Sequence, residues 1–501
     1  MTKKSDQIGL ENACRKLGLP LAAIKVHAER IRMALAGESV PTFAIEDTCK
    51  RANGGVFSPV SAGQKSLLGS DEQQLRVVAF VPAAGAASRF LEPLKAMANN
   101  PAASSASCDW PLPPLLRKWL DSQGHGFSSA ETLSLFFLEI MSWPKALFPC
   151  NRNGVSFLDA KIREHRAYKM AGVNFCGEVY VAPLGQTDQF AKPAAEIPYE
   201  VIEQDASLST LRFRRDGSFV VGADGRPALV PAGHGALTGL FGRVRKRFPE
   251  GDYLLIRNID NVCGTSTETS IEVLQFCDFA SSIIKAVRAI RAGLAMGQIE
   301  APGVLDAALY LGGLAGHSGP EPFDLLRLLA AIQETLFHSA AISWSPEKAN
   351  RGEVISQLSR QYSRPVNVLG QVPNSGRDVG GTPVFVRRTD GVLEKLCIEV
   401  VHVNSEQVEL FLKDPEIATH FNPVFVASEL VEDFSAYDVD HPYWSCVQKR
   451  FEGEDVFYHE SFLYEILGSS AISNVVFVEI PRLLFNPHKT LSDTAAATVV
   501  V

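Results

Sequence analysis

The stretch Val77-Val-Ala-Phe-Val-Pro-Ala-Ala-Gly-Ala-Ala-Ser-Arg-Phe90 constrains the chain most. Five apolar residues, Val77 to Val81, have the length and β-branched content of a fully buried strand. Pro82 ends the run, and a turn of small residues follows, closing with the single cation Arg89. Small side chains let backbone amides approach a phosphate chain closely, and a helix opening just after them turns its positive end toward the same anion. The stretch therefore reads as the first strand and phosphate loop of a nucleotide-binding α/β domain, with a plain strand-to-helix turn as the alternative.

The rest of the sequence fits that frame. The 501 residues have ample length for a large core and more than one compact unit. A formal charge of -8 argues against a nucleic-acid partner, which calls for a basic domain or stripe. The one dense basic run, Arg243-Val-Arg-Lys-Arg247, suits the last turn of a helix. Nine scattered cysteines with no Cys-x-x-Cys pair point to reduced thiols and a cytoplasmic address. A polar start, Met1-Thr-Lys-Lys-Ser-Asp6, lacks the pattern of a signal peptide, and no run reaches the roughly 18 apolar residues of a membrane span.

Periodicity divides the chain into a helical N-terminal extension (1–70), a first core part (71–264), a helical insertion (265–363) and a second core part (364–501). Helices are expected over Leu21–Ala36, Pro114–Asp121, Ala130–Met141, Asp159–Met170, Ala236–Phe248, Ile271–Ala292 and Pro322–Ser339. Strands are expected at Glu178–Ala182, Tyr199–Ile202, Tyr253–Asp260, Val366–Gln371, Pro383–Arg387, Leu396–His402, Val424–Ala427 and Val475–Ile480. Strands interleaved with helices predict an α/β fold with a mixed, mostly parallel sheet and helices on both faces.

Five stretches carry candidate chemistry, and together they resemble the sugar nucleotidyltransferases. Ala83-Ala-Gly-Ala-Ala-Ser-Arg-Phe90 resembles the Pro-Ala-Ala-Gly-x-Gly-Ser/Thr-Arg loop that wraps nucleotide phosphates in those enzymes, with Ala87 in place of the usual glycine. Pro144-Lys-Ala-Leu-Phe-Pro149 resembles their Pro-Lys-x-Leu-x-Pro element. Pro231-Ala-Gly-His-Gly235 resembles the base-reading loop of the uridine-diphosphate-sugar pyrophosphorylases, and Gln204 matches a glutamine near the base. Ile256-Arg-Asn-Ile-Asp-Asn-Val262 resembles their strand-end Asn-x-Asp-Asn, where a carboxylate beyond a buried strand suits Mg²⁺. Near the C-terminus, Val478-Glu-Ile-Pro-Arg-Leu-Leu-Phe-Asn-Pro-His-Lys489 resembles the segment whose lysine lies on the reacting phosphates.

Read as a whole, the chain resembles more closely an uncharacterised bacterial family described only as a domain of unknown function. Its Gly-Ala-Ala-Ser-Arg loop, its Asn-Ile-Asp-Asn-Val element, a Gly-Gly strand (Gly380-Gly-Thr-Pro-Val-Phe-Val386) and Thr419-His-Phe-Asn-Pro423 all occur here.

The resemblance implies a GT-A-like, Rossmann-like nucleotidyltransferase fold and uridylyl transfer from UTP to a sugar 1-phosphate. It implies phosphate contacts from Arg89, Lys145 and Lys489 and from the backbone of Ala84, Gly85, Ala86, Ala87 and Ser88. Base contacts would come from Gln204, Gly233, His234 and Gly235. Glu399, His420 and Asn422 would lie on the sugar or phosphate side, and Asp260 would hold Mg²⁺, with Glu399 as a candidate second ligand. Neither a nucleic acid nor a membrane is an expected partner. A non-catalytic nucleotide-sugar binder and a glycosyltransferase of the same fold are the alternatives.

Overall fold

Burial follows the apolar runs. The computed structural model describes residues 2–38, 42–58, 74–85, 90, 140, 143–151, 153–190, 196–222, 225–317, 324–339, 351–376, 380–387, 393–438, 441–451, 453–490 and 493. The helices expected at Pro114–Asp121 and Ala130–Met141 fall outside these residues, apart from Ile140, which is helical. In chain order the strands are β1 (Ala44–Thr48), β2 (Val77–Pro82), β3 (Phe175–Pro183), β4 (Tyr199–Gln204), β5 (Ser209–Leu211), β6 (Leu229–Pro231), β7 (Tyr253–Arg257) and β8 (Val366–Pro373). There follow β9 (Thr382–Arg387), β10 (Leu393–Ile398), β11 (His420–Phe421), β12 (Phe425–Glu429), β13 (Trp444–Phe451), β14 (Glu454–Ser461) and β15 (Asn474–Glu479).

The chain forms two compact units. One comprises Met1–Arg76, Asp205–Leu255 and Phe276–Ile480; the other comprises Val77–Gln204, Ile256–Gln275 and Pro481–Val501.

In the second unit β2, β3 and β4 pair in parallel, in that order. Val77 to Val81 are fully buried, as a central strand of an α/β sheet requires. The helix Phe157–Met170 precedes β3; Ser156 caps it by accepting from Asp159 N–H at 3.0 Å. Its apolar face joins Val81, Phe90, Phe148, Tyr180, Ile259 and Val262 in one core.

In the first unit β8 pairs in parallel with β15 and antiparallel with β11 and β12. The expected mixed sheet is present, with helices interleaved between its strands. The N-terminal segment contains more than helices. After the helix Leu21–Leu35 comes β1, which completes a three-stranded antiparallel sheet with β9 and β10. β13 and β14 form a hairpin that periodicity did not reveal, since Gln448 to Arg450 along β13 are polar and largely exposed. Between Thr267 and Tyr362 the described elements are the helices Thr267–Met296, Pro302–Leu314, Leu325–Thr335 and Arg351–Tyr362, as expected for that stretch. Where an unbroken helix was expected over Ala236–Phe248, residues His234–Leu240 are a 3₁₀ helix and only Phe241–Arg247 are α-helical. The Leu396–His402 strand likewise stops at Ile398 and continues as a 3₁₀ turn, Val400–His402.

The helix Leu21–Leu35 meets the hairpin through a buried histidine cluster. His27 stacks on His459 with ring centroids 3.9 Å apart. Arg30 donates to His459 Nε2 at 3.2 Å and to the His441 carbonyl at 2.7 Å. Burial, reinforced by Arg30, holds His27 and His441 down at about 3. These rings stay neutral in the fold but take up protons in the unfolded chain below about pH 6.5. The stability they contribute is present above that pH and is lost as pH falls toward 3. A thermal midpoint that declines from pH 6.5 downward is expected, with the upper part of the decline flattened in His27→Asn.

Candidate functional site

Three stretches distant in sequence converge in the second unit. Asp260 lies just beyond the end of β7, Lys145 begins a 3₁₀ turn (Lys145–Leu147), and Lys489 lies in the C-terminal segment. Oδ2 of Asp260 accepts from Lys145 Nζ at 3.0 Å and from Lys489 Nζ at 3.2 Å. Lys145 also donates to the carbonyl of His488, whose own N–H donates to Asp260 O at 2.9 Å. Two ammonium groups therefore share one carboxylate oxygen.

Local sequence explains each position. Prolines at 144 and 149 bound the Lys145 turn, and its backbone N–H reaches Gly85 O at 3.4 Å, tying it to the start of the small-residue loop. The rings of Phe90 and Phe157 lie 5.2 and 5.4 Å from Lys145 Nζ. With its side chain 11% exposed, Lys145 is held below the ordinary lysine range by burial, which Asp260 offsets only in part. Asp260 is also held down, but here the partners win: burial would raise its carboxyl, and Lys145 and Lys489 outweigh burial. Lys489 is half exposed; its N–H and that of Thr490 both donate to Asp493 Oδ2, at 2.8 and 2.7 Å.

The C-terminal segment is fastened to the Asp260 loop by side chains as well. Asn261 donates to Leu484 O at 3.0 Å and accepts from Asn486 N–H at 2.7 Å; Asn486 donates to Val262 O at 2.7 Å. The loops bearing Asp260 and Lys489 are thus cross-linked. Gln204 ends β4, paired with Pro183 of β3. Ala84 and Gly85 follow β2 directly, whereas Ala86, Ala87, Ser88 and Arg89 lie outside the described residues.

The remaining expected residues belong to the first unit. Gly233 has φ +86°, and a Cβ there would lie 2.4 Å from Ser461 O; at Gly235 it would lie 2.5 Å from Ser461 Oγ. The glycines of this turn are therefore demanded by its packing on the end of β14. Gly233→Ala is expected to lower the thermal midpoint by several degrees, since positive φ alone costs about 1–3 kcal/mol and the clash adds to it. His234 is exposed, with Nδ1 accepting from Leu463 N–H at 3.1 Å.

Glu399 precedes the 3₁₀ turn, its N–H donating to Glu465 Oε1 at 2.8 Å. Burial and then the neighbouring Glu465 push its carboxyl up to about 7, so near neutral pH it can donate as well as accept a hydrogen bond. Glu465 also bonds His402 Nδ1 at 2.6 Å, while His402 Nε2 donates to Trp444 O. His420 Nε2 lies 3.0 Å from Glu479 Oε2. Asn422 is fully buried, donating to Gly370 O at 2.7 Å and accepting from Val424 N–H at 2.9 Å. Its amide secures the turn that carries Val424 at φ +59°.

Asp260, the residue expected to hold Mg²⁺, has its Oδ2 on the ammonium groups of Lys145 and Lys489. Among the described residues no group of three or more His, Cys, Asp or Glu side chains is arranged to hold a metal. One protein carboxylate is enough for Mg²⁺ only where substrate phosphates and water supply its other ligands. Among the described residues no helix is long and apolar enough to cross a membrane.

Comparison with known proteins agrees with this architecture. No protein of curated function matches the sequence. UDP-glucose phosphorylase from Trypanosoma brucei superposes with a TM-score of 0.51 at 13% identity, over 98% of this chain and 78% of that one. A point mutant of UDP-glucose pyrophosphorylase from Leishmania major, in complex with UDP-glucose, gives 0.52 at 12% identity with the same coverage. Residues 325–497 match the family model described as Domain of unknown function (DUF4301). The chain thus has the fold of the UDP-glucose pyrophosphorylases, and residues 325–497 are similar to a domain of unknown function.

Proposed function

We propose that the protein transfers a uridylyl group from UTP to a sugar 1-phosphate and releases pyrophosphate. One observation carries this reading: Lys145 and Lys489 meet on Asp260 Oδ2, in a chain with this fold. An oxygen of the sugar 1-phosphate attacks the α-phosphorus of UTP, the bond from that phosphorus to the bridging oxygen breaks, and pyrophosphate leaves. The nucleophile is already an anion, so no general base is required. The protein's task is alignment and relief of crowded negative charge.

Lys145 and Lys489 supply ammonium donors for phosphate oxygens, and Asp260 keeps the two cations side by side until the phosphates take its place. Mg²⁺, when bound, would be held by Asp260 and would add charge neutralisation on the phosphates. Arg89 and the backbone from Ala84 to Ser88 are assigned to the remaining phosphate contacts on the motif resemblance. Gln204 and the Gly233-His234-Gly235 turn are assigned to the base, and Glu399, His420 and Asn422 to the sugar side, on the strength of the motif resemblance.

Calorimetry with UTP, CTP, ATP and GTP in the presence of Mg²⁺ tests the nucleotide assignment. UTP is expected to bind at least about tenfold more tightly than the others, a difference of about 1.4 kcal/mol. Equal affinities would remove uridine from the proposal, and no binding of any nucleotide would remove the proposal itself.

A further inference from the structure

Three charged side chains lie fully buried in the second unit, against the loop that carries Asp260. Lys161 and Glu164, one turn apart on the helix Phe157–Met170, pair at 2.9 Å, and Arg257 at the end of β7 lies 3.2 Å from the same Glu164 oxygen. All three side chains have no exposure. None of the five motifs that pointed to nucleotide chemistry assigns a role to any of them.

Their remaining bonds run to one short piece of backbone. Glu164 Oε1 accepts from Gly264 N–H at 2.8 Å and from Cys263 N–H. Lys161 Nζ donates to Asn261 O, and Arg257 Nη2 donates to the same carbonyl at 3.4 Å. Arg257 also donates to Cys263 Sγ at 3.1 Å and to Tyr168 Oη at 3.3 Å. The backbone groups of residues 261, 263 and 264 are therefore held by charge-assisted bonds on this side, while Asn486 holds residue 262 from the C-terminal segment. Immobilising the residues just after Asp260 sets the direction in which its carboxylate points.

Stability alone does not call for such an arrangement. Buried ion clusters are often replaceable by apolar side chains with no loss of stability. What charge-assisted bonds supply is a strong, directional hold on chosen backbone atoms. Both cations and the anion act on the loop that begins one residue beyond the carboxylate shared by Lys145 and Lys489.

We propose that Lys161, Glu164 and Arg257 are positioning residues, which hold the 261–264 backbone so that Asp260 meets Lys145 and Lys489. This rests on the reading above that Asp260 serves the phosphate site. The helix Phe157–Met170 thereby becomes part of the phosphate site without touching the substrate.

A double-mutant cycle tests the proposal, because a residue acting through Asp260 loses its effect once Asp260 is gone. Inorganic pyrophosphate with Mg²⁺ is titrated calorimetrically into the full-length wild type, Glu164→Gln, Asp260→Asn and the double variant, below the unfolding temperature of each. Glu164→Gln is expected to raise the Kd about tenfold or more, and the double variant is expected to bind no more weakly than Asp260→Asn alone. An unchanged Kd in Glu164→Gln, or losses that add in the double variant, would overturn the proposal. Should Glu164→Gln not fold, Lys161→Met takes its place in the same cycle, with Glu164 still paired to Arg257. Absence of pyrophosphate binding by the wild type would count against the functional reading and this inference together; wild-type binding with an unaltered variant overturns the inference alone.

Discussion

Lys145→Met is expected to lower pyrophosphate release by about 10²–10³-fold, the loss typical of removing one preorganised donor from developing charge. Lys145 is the better protected of the two cations, with its ammonium over two phenyl rings and its side chain 11% exposed, against 49% for Lys489. An ammonium in that setting interacts more strongly with a phosphate than one in water, because the local dielectric is lower. Methionine keeps most of the volume, and Asp260 keeps Lys489, so the fold should survive with a modest change in midpoint. The lysine also sets a pH dependence. Burial holds Lys145 below the ordinary lysine value, so its charge is lost at lower pH than that of a surface lysine. In the wild type, kcat/KM should therefore fall on the alkaline side below about pH 10.4, and Lys145→Met should lack that limb. A variant retaining wild-type turnover would remove Lys145 from the site.

Asp260→Asn is expected to reduce turnover by a comparable factor and, unlike Lys145→Met, to destabilise the protein clearly. Two ammonium groups lie 3.0 and 3.2 Å from its Oδ2. Without the carboxylate they repel one another, the proposed metal ligand is lost, and the main influence sustaining the charge on Lys145 disappears. Breaking a buried ion pair from one side costs about 3–5 kcal/mol, which is an upper figure here because Lys489 is half exposed and Lys145 keeps the His488 carbonyl. Thermal unfolding and pyrophosphate release measured on the same preparation separate the two effects. An unchanged midpoint together with unchanged turnover would contradict the arrangement.

The parts of this site legible in the sequence are those whose chemistry depends on residue type at a fixed spacing. Lys145, Asp260 and Lys489 stand in proline-bounded or strand-end segments with a recognisable order, and the fold brings them to one oxygen atom. Lys161, Glu164 and Arg257 escaped because charged residues on a helix, or at the end of a strand, ordinarily face solvent. The one available signal was Arg257 closing an otherwise apolar run, Tyr253 to Ile256, where a buried guanidinium requires an acid.

Gly233 and Gly235 were legible as positions intolerant of side chains, which the resemblance tied to contact with a base. The steric demand present in the structure comes from Ser461, more than 200 residues later, which no local pattern contains. The 3₁₀ turns at His234–Leu240 and Val400–His402 share their apolar spacing with the helix and strand expected there. Only tertiary packing decided between them. The strand β1 was hidden because Ala44 to Thr48 is short and half polar, and pairing with β9 makes it a strand.

The central claim is tested most directly by incubating the purified protein with Mg²⁺, UTP and a panel of sugar 1-phosphates and measuring pyrophosphate. Pyrophosphate appearing in step with a uridine-diphosphate sugar, for at least one sugar and dependent on both substrates, is the predicted result. UTP binding without pyrophosphate release across a broad panel would contradict it and leave a nucleotide-binding protein on an enzyme's fold.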